Sequence, residues 1–479
     1  MGTPQDIIYK TRQALDAEKN LSPALRAIIE LLVLLVESML GASVKKTSRN
    51  SSIPPSQDPN RPKEEKPESV RKPGGQMGRA FKTLEPVSDP DRVVEIDVLP
   101  EVLREGSWIK DGCVSRQVVD FETRRVITEY RASIMKNQEG KTITAAFPEG
   151  ISRPIQYGTS VKAHGVYMST FQMVPYERLQ AYFRDQIGIP LSPGTLCNFN
   201  KEASTQLASF KALAQGMLKA APCLNADETG INIEGKRRWL HSVSNASWVL
   251  FYPHEARGQK GMDAGGVLPG YKGVLVHDHW KAYYGYKDCL HALCGAHLLR
   301  ELAFIEDAFG IQWAKAMKDL LCEINMDVSD RGEGMLPQDD AERYKARYRA
   351  ILLGGEKESP PQMDKELCPK TGQKKRGRAA KSKHRNLLER LADYEAEVLR
   401  FMEHPEVPFT NNRAENDIRM TKVQQKISGC FRSFEGAETF CLIRSYLLTC
   451  QKQDIDPTEA LKTLFKGQLP EKLTSQAQA

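Results

Sequence analysis

Leu21, Leu25, Ile28, Leu32, Leu35 and Met39 recur at steps of 4, 3, 4, 3 and 4 in the most apolar stretch of the chain, Ala24 to Ala42. The rhythm predicts a helix with an a/d seam and, for residues 1–41, a short self-associating coiled coil. With fewer than three heptads, a helix packed on its own domain satisfies the pattern equally. A membrane span does not, because Arg26, Glu30 and Glu37 interrupt the stretch and its longest apolar run is far short of the roughly 20 residues needed. Residues 42–80 then turn to Ser, Pro, Asn, Lys and Glu ("NSSIPPSQDPNRP", "RKPGGQMG"), a composition that cannot bury apolar area and reads as a flexible linker.

Alternating β-branched runs follow, "RVVEIDVL", "RQVVDF", "RRVITEYRASI" and "KTITAAF", with a turn at "NQEGK", and predict a small β-rich module over 81–150. Residues 174–205 read as two helices around a tight turn, with Ser192 as N-cap and Pro193 as first helical residue. The region 151–222 is therefore helical and helix-turn-helix-like, although neither helix has an obviously basic face and an ordinary helical hairpin fits as well. From Cys223, "CLNAD" reads as a strand ending in Asp227, and "TGINIE", "RRWLHSVSN" and "WVLFYPH" as an antiparallel meander. "GVLVHDHW" is a buried strand that delivers Asp278. "FTNNRAENDIRMTKVQQKISG" is a helix capped by Asn411 or Asn412, with Glu415 in its first turn and Gly429 as its stop. Strands that deposit carboxylates at their ends, with helices after them, predict an α/β layer with a site at the sheet edge.

Composition changes this picture little. The 479 residues leave room for roughly three domains, and 40% hydrophobic with 27% charged residues excludes both a wholly disordered and a polytopic membrane protein. The net charge of +7 is concentrated: residues 42–80 hold nine Lys/Arg against four Asp/Glu, and Lys370 to Arg385 hold eight Lys/Arg and no acid. Such stretches suit contact with a polyanion. Ten cysteines without a C-x-x-C pair fit a reducing compartment, and the first residues lack a signal-peptide pattern, so a cytoplasmic protein is expected.

Asp227, Asp278 and Glu415 each have an ordinary reading: a turn cap, a surface turn, a capping box with Asn412. Together they have another. Two divalent cations about 4 Å apart activate an attacking oxygen and stabilise a leaving oxygen of a phosphodiester, and hard Mg²⁺ takes carboxylate oxygens with few protein ligands.

The words "NADETG", "VLVHDHWKAY", "CGAHLLREL", "NNRAENDIRMTKVQQKISGCFRSFEGAE", the linker "NSSIPPS…RKPGGQMG" and "FPEGISRPIQYG" together resemble transposases of the insertion sequence 66 family over about residues 20 to 465. The resemblance implies an α/β multidomain chain with a ribonuclease-H-like DDE catalytic domain. Asp227, Asp278 and Glu415 would be its catalytic and metal-binding residues for two Mg²⁺ or Mn²⁺. It implies cutting of element ends in double-stranded DNA and their joining to target DNA, a homo-oligomer, small accessory proteins and a bacterial, nucleoid-associated location. The expected division is a coiled-coil helix (1–41), basic linker (42–80), β-rich module (81–150), helix-turn-helix-like region (151–222), catalytic core (223–310), helical insertion with basic arm (311–404), second part of the core (405–465) and tail (466–479). Relatives carry a cysteine-rich zinc module where residues 81–150 have only Cys113, so no zinc is expected there.

A second metal candidate is Cys289, His291, Cys294 and His297, with His277 and His279 beside them. The resemblance offers Cys294, His297 and Arg300 as active-site support instead, and buried core residues are the plain alternative. Lys374, Lys375, Arg376, Arg378, Lys381, Lys383 and Arg385 form a candidate DNA-tracking arm, and Arg413, Arg419, Lys422 and Lys426 candidate phosphate contacts near Glu415. The competing readings are a catalytically inactive DNA-binding protein or repressor of transposition, and a zinc hydrolase built on His277, Asp278, His279 and His297.

Overall fold

A computed structural model of the chain describes residues 4–18, 21–43, 46–51, 85–99, 101, 104, 107–109, 112–361 and 381–475. The linker's central part and Lys370 to Ala380 lie outside them. The apolar repeat near the start folds as the helix its spacing predicts: α1 (Pro4–Ala17) precedes α2 (Pro23–Ser43). Val33 is buried, but Leu25, Ile28, Leu32, Leu35 and Met39 are exposed, so no helix among the described residues covers the seam. Among the described residues no helix is long and apolar enough to cross a membrane.

The β-rich expectation for 81–150 is corrected. Only β1 (Ile134–Lys136) and β2 (Thr142–Thr144) form there among the described residues, as an antiparallel hairpin around "NQEGK", where Asn137 Oδ1 accepts hydrogen bonds from the Lys141 and Glu139 amides. "RVVEIDVL" and "RQVVDF" form no strand, and Val94, Ile96, Val118, Phe121 and Ile127 are exposed. Alternation specifies a strand only where a face can be buried, and among the described residues these segments meet no apolar layer; a hairpin alone is marginal.

The helices α3 (Thr159–Val166), α4 (Tyr176–Tyr182), α5 (Pro193–Gln206) and α6 (Ala208–Ala220) follow, with single π-helical turns extending α3 and α4. Gly188, at φ 70°, ends the extended α4, and Ser192 Oγ caps α5 by accepting from Thr195 N at 3.1 Å. These helices do not form a separate module. Leu179, Phe183, Leu196, Phe210 and Leu218 share one core with Leu224, Ala226, Val243 and Leu250 of the sheet.

That sheet contains β3 (Cys223–Ile233), β4 (Lys236–Ser244), β5 (Val249–His254), β6 (Val274–His277) and β7 (Leu290–Leu293) in spatial order β5-β4-β3-β6-β7. Strands β3 to β5 are an antiparallel meander, whereas β6 and β7 lie parallel on the other side of β3. "CLNAD" and "TGINIE" are one strand, so Asp227 is mid-strand rather than terminal. The turn Glu234–Gly235 has φ of 55° and 75°, the two left-handed residues that a type I′ hairpin requires.

The helix α7 (Gln259–Asp263) precedes β6. After β7 come α8 (Gly295–Phe309), α9 (Gln312–Arg331), α10 (Gln338–Glu358), α11 (Lys383–Asp393) and α12 (Glu395–Leu399), whose apolar faces build a second core with Val276 and Leu293 through Leu298, Leu302, Trp313, Tyr348 and Leu388. Helices α9 to α12 fall within the stretch 311–404 expected as a helical insertion, and α8 precedes it; α2 rests on α8. Finally α13 (Asn412–Ser428), α14 (Phe434–Lys452), α15 (Pro457–Leu464) and α16 (Glu471–Ser475) return to the sheet. Ser445 and Thr449 of α14 accept hydrogen bonds from the Phe251 and Val249 amides, which covers the exposed edge of β5.

Candidate active site

Registers alone bring two of the three carboxylates together. β3 pairs in parallel with β6 through Cys223↔Val274, Leu224↔Leu275 and Asn225↔Val276. Two positions further on, Asp227 stands beside Asp278, just where β6 has stopped and β3 continues, so both lie where the parallel pairing opens into a cleft.

The third carboxylate arrives through α13. Asn225 and Asp227, two apart on a strand, share a face. Asn225 Nδ2 donates to Asn411 Oδ1 at 2.8 Å, and Asn411 Nδ2 donates to the Ala226 carbonyl at 2.8 Å. Four residues along a helix advance about 6 Å, and two along a strand about 6.6 Å. Glu415, four after Asn411, is thus carried along β3 by the same distance that separates Asp227 from Asn225. Further contacts keep the course: Lys422 donates to the Gly230 carbonyl, and Phe431 N donates to the Asn232 carbonyl at 3.0 Å.

The capping reading of Glu415 is not met. Asn411, not Asn412, is the N-cap residue; its side chain serves the sheet, and Glu415 lies one position beyond the capping-box site.

Charge follows geometry. Burial, then Glu228, then Glu415 and Asp278 push the Asp227 carboxyl up to about 8, while the Glu228 amide, donating to its Oδ1 at 2.9 Å, pulls it down. Such a set repels itself without a cation and fits one with oxygen-ligated divalent ions. Glu228 is buried: Tyr283 Oη donates to it at 2.6 Å and Arg257 at 2.6 and 2.9 Å, and the Arg257 guanidinium lies between the rings of Trp239 and Trp280, 4.9 and 4.2 Å from their centres. No linear pattern distinguishes Glu228 or Arg257, because both gain their meaning from neighbours distant in sequence.

A cavity of about 240 Å³ beside Asp278 is lined also by Cys294, His297, Arg257, Glu301 and Arg390. Cys294 precedes α8; its Sγ accepts from Asn411 N at 3.1 Å and lies 4.0 Å from Glu415 Oε1. His297 Nδ1 is 3.7 Å from the same oxygen and has no hydrogen-bond partner although buried. Arg300 Nε is also buried without a partner, and burial, then Arg300, lower the His297 pKa. The ligand atoms of Cys294, His297 and Glu415 lie within 4.8 Å of one another.

The other metal candidates are not assembled. Cys289 and His291 sit at Tyr286, away from Cys294. His277 is buried, stacked on Tyr283, and both its nitrogens have protein partners, the Asp278 carbonyl and His291 Nδ1; burial, then His291 and His279, take it down to about 3 against the raising effect of the Asp278 carbonyl. His279 Nδ1 meets Tyr284 Oη at 2.9 Å. A zinc hydrolase on His277, Asp278, His279 and His297 therefore lacks its ligands.

Of the basic arm, Lys374, Lys375, Arg376 and Arg378 lie outside the described residues. Lys381 pairs with Glu389, and Lys383 lies 4.7 Å above the Phe304 ring. Arg385 is a correction: it is buried in α11, held by Glu356 at 2.5 Å and Glu389 at 2.8 Å, because the leucines around it pack inward. Arg413, Arg419, Lys422 and Lys426 are exposed along α13. Lys422 also borders a groove of about 670 Å³ with Arg237, Trp239 and Arg257, a basic surface next to the carboxylates.

A family model described as transposase IS66 family matches residues 154–439, more than half of the chain, and spans all three carboxylates. Among curated proteins none matches.

Proposed function

The chain belongs to the IS66 family of transposases, and we propose from this that Asp227, Asp278 and Glu415 are the catalytic carboxylates of a DDE enzyme that cuts element ends and joins them to target DNA. The observation that carries the reading is the shared course of β3 and α13, which delivers Glu415 to the pair formed by Asp227 and Asp278. The strand order, with an antiparallel meander on one side of β3 and parallel strands on the other, supports a ribonuclease-H-like catalytic domain.

Asp227, Asp278 and Glu415 would together hold two Mg²⁺ or Mn²⁺ ions. Such ions, when bound, activate the attacking oxygen and stabilise the departing one. The chain's own part is to hold the carboxylates on rigid elements and to keep DNA over them. Arg257, clamped by Glu228 and two indoles, presents positive charge at the cleft wall, and Arg413, Arg419, Lys422 and Lys426 extend it along α13. Water attacks the phosphodiester at the element end and leaves a free 3′-OH, which then attacks a target phosphodiester and expels a target 3′-oxygen. Pairing two ends calls for more than one copy, which the exposed seam of α2 would supply. Bacterial double-stranded DNA is the partner, and accessory proteins of the element remain part of the same proposal.

The test is nicking of duplexes bearing an element end. With Mg²⁺ or Mn²⁺ the protein cuts, and Asp227→Asn, Asp278→Asn and Glu415→Gln each abolish cutting to a similar, non-additive extent while binding persists. A folded Glu415→Gln variant that still nicks removes Glu415 from the site. A wild-type protein that binds ends without cutting them is the repressor-like alternative.

A further inference from the structure

We propose that Cys294, His297 and Glu415 form a second metal site, for one thiophilic transition-metal ion of the zinc class, and that its occupation withdraws Glu415 from the carboxylate trio. The competition half of this proposal rests on the function assigned to Glu415 above; the binding half does not.

The donors come from two elements. Cys294 and His297 stand at the start of α8, where the spacing of three turns both toward one side. Glu415 stands one turn into α13. Two contacts fix the approach of the elements: Gly295 N donates to the Phe409 carbonyl at 2.8 Å, and Asn411 N donates to Cys294 Sγ at 3.1 Å. A Cβ on Gly295 would meet the Phe409 ring at 2.4 Å, so the glycine permits this approach.

Distances fit the ion. Zinc bonds of about 2.3 Å to sulfur and about 2.0 Å to nitrogen and oxygen, at tetrahedral angles, separate S from O by roughly 3.5 Å and N from O by roughly 3.3 Å. The observed separations are 4.0 Å for Cys294 Sγ to Glu415 Oε1 and 3.7 Å for His297 Nδ1 to the same oxygen. Closing them takes a few tenths of an ångström of side-chain movement.

The donor set shows the same preference. His297 Nδ1 is buried with no hydrogen-bond partner, which a metal bond would satisfy. Sulfur and imidazole select zinc-class ions over magnesium, which prefers oxygen. Binding breaks the Cys294 S–H bond; the electron pair stays on sulfur as ligand and the proton leaves to solvent. Three protein donors leave a fourth position facing the cavity that Asp278 lines.

One carboxylate cannot serve both ions in the same way, so zinc-class ions are expected to inhibit magnesium-dependent cutting. The test uses the full-length protein stripped of metal and titrated anaerobically with Co²⁺. One equivalent should produce a thiolate-to-cobalt charge-transfer band, which Cys294→Ser abolishes and which His297→Ala weakens at least tenfold in affinity. Asp227→Asn, which stops cutting, should keep the band, so failure of the metal site and failure of the catalytic assignment are told apart. In cutting assays, Cys294→Ser should raise the zinc concentration for half-inhibition at least tenfold, relative to that variant's own zinc-free rate. No band, or a band that survives Cys294→Ser, overturns the site; a band with unaltered zinc inhibition overturns the competition.

Discussion

Asp227→Asn should stabilise the metal-free protein while destroying its activity, and the gain should depend on pH in a defined way. With its carboxyl pushed up to about 8 against an ordinary 3.8, Asp227 holds a proton in the native state that the unfolded chain has released, throughout the interval between these values. The native state then binds more protons, so stability falls as pH rises through that window. At roughly 1.4 kcal/mol per unit, the loss is about 2 kcal/mol at pH 5 and about 4 kcal/mol at pH 7, levelling off above pH 8. The asparagine keeps an oxygen for the Glu228 amide and does not titrate, so the stability gap should widen by about 2 to 3 kcal/mol from pH 5 to pH 7. For about 300 cooperatively unfolding residues this is roughly 4 °C in melting temperature. Paired melting curves in chelator at both pH values measure it. Added Mg²⁺ should raise the wild-type melting temperature and leave that of the variant nearly unmoved, since the cation favours the ionised form. A gap that does not change between pH 5 and 7 would refute the burial and mutual repulsion assigned to Asp227.

Neutralising Lys374, Lys375, Arg376 and Arg378 together should flatten the salt dependence of duplex binding by about 3 to 4 in logarithmic slope; an unchanged slope returns the arm to a solvated loop. Arg385→Ala should do the reverse, leaving that slope alone and costing about 1 to 2 kcal/mol of stability in denaturant titration, because it removes the bonds of a buried guanidinium to Glu356, Glu389 and the Ser359 carbonyl while Glu356 stays half exposed and Glu389 keeps Lys381. Replacing Ile28 and Leu32 by Asp should give a smaller species in light scattering, and an unchanged mass would place the interface between copies elsewhere.

What could be read from the sequence was what local chemistry decides. Ser192 and Pro193 start a helix wherever they sit, and the apolar run before Asp278 specifies a buried strand. The seam of α2 was legible as a helix for the same reason. Failures came where a partner decides. The β-branched runs of residues 92–131 alternate as strands do, yet nothing among the described residues gives them a face to bury. Arg385 belongs to a basic run by sequence, but the carboxylates that hold it come from α10 and α11. Asp227 looked terminal because "CLNAD" is apolar and "ETG" is not, whereas β4 pairs with β3 along its whole polar half. Glu228 escaped notice since its partners, Arg257 and Tyr283, lie 29 and 55 positions away.

The most consequential of these long-range choices is the pair Asn225 and Asn411. An apolar contact between β3 and α13 would bury the same surface but would tolerate slippage, since greasy faces match at many offsets. Slippage by one helical turn moves Glu415 about 5.4 Å along the strand, more than the spacing between neighbouring strands, and the carboxylate trio is lost. Two buried amides whose hydrogen bonds close only at one offset remove that freedom, because any other leaves buried polar groups unpaired at about 1 to 3 kcal/mol each. Asn411 also donates through its backbone to Cys294, so the same residue fixes α13 against β3 and against the start of α8. The geometry of the three carboxylates proposed as catalytic and that of the proposed Cys294, His297 and Glu415 site are therefore set by one polar hinge point.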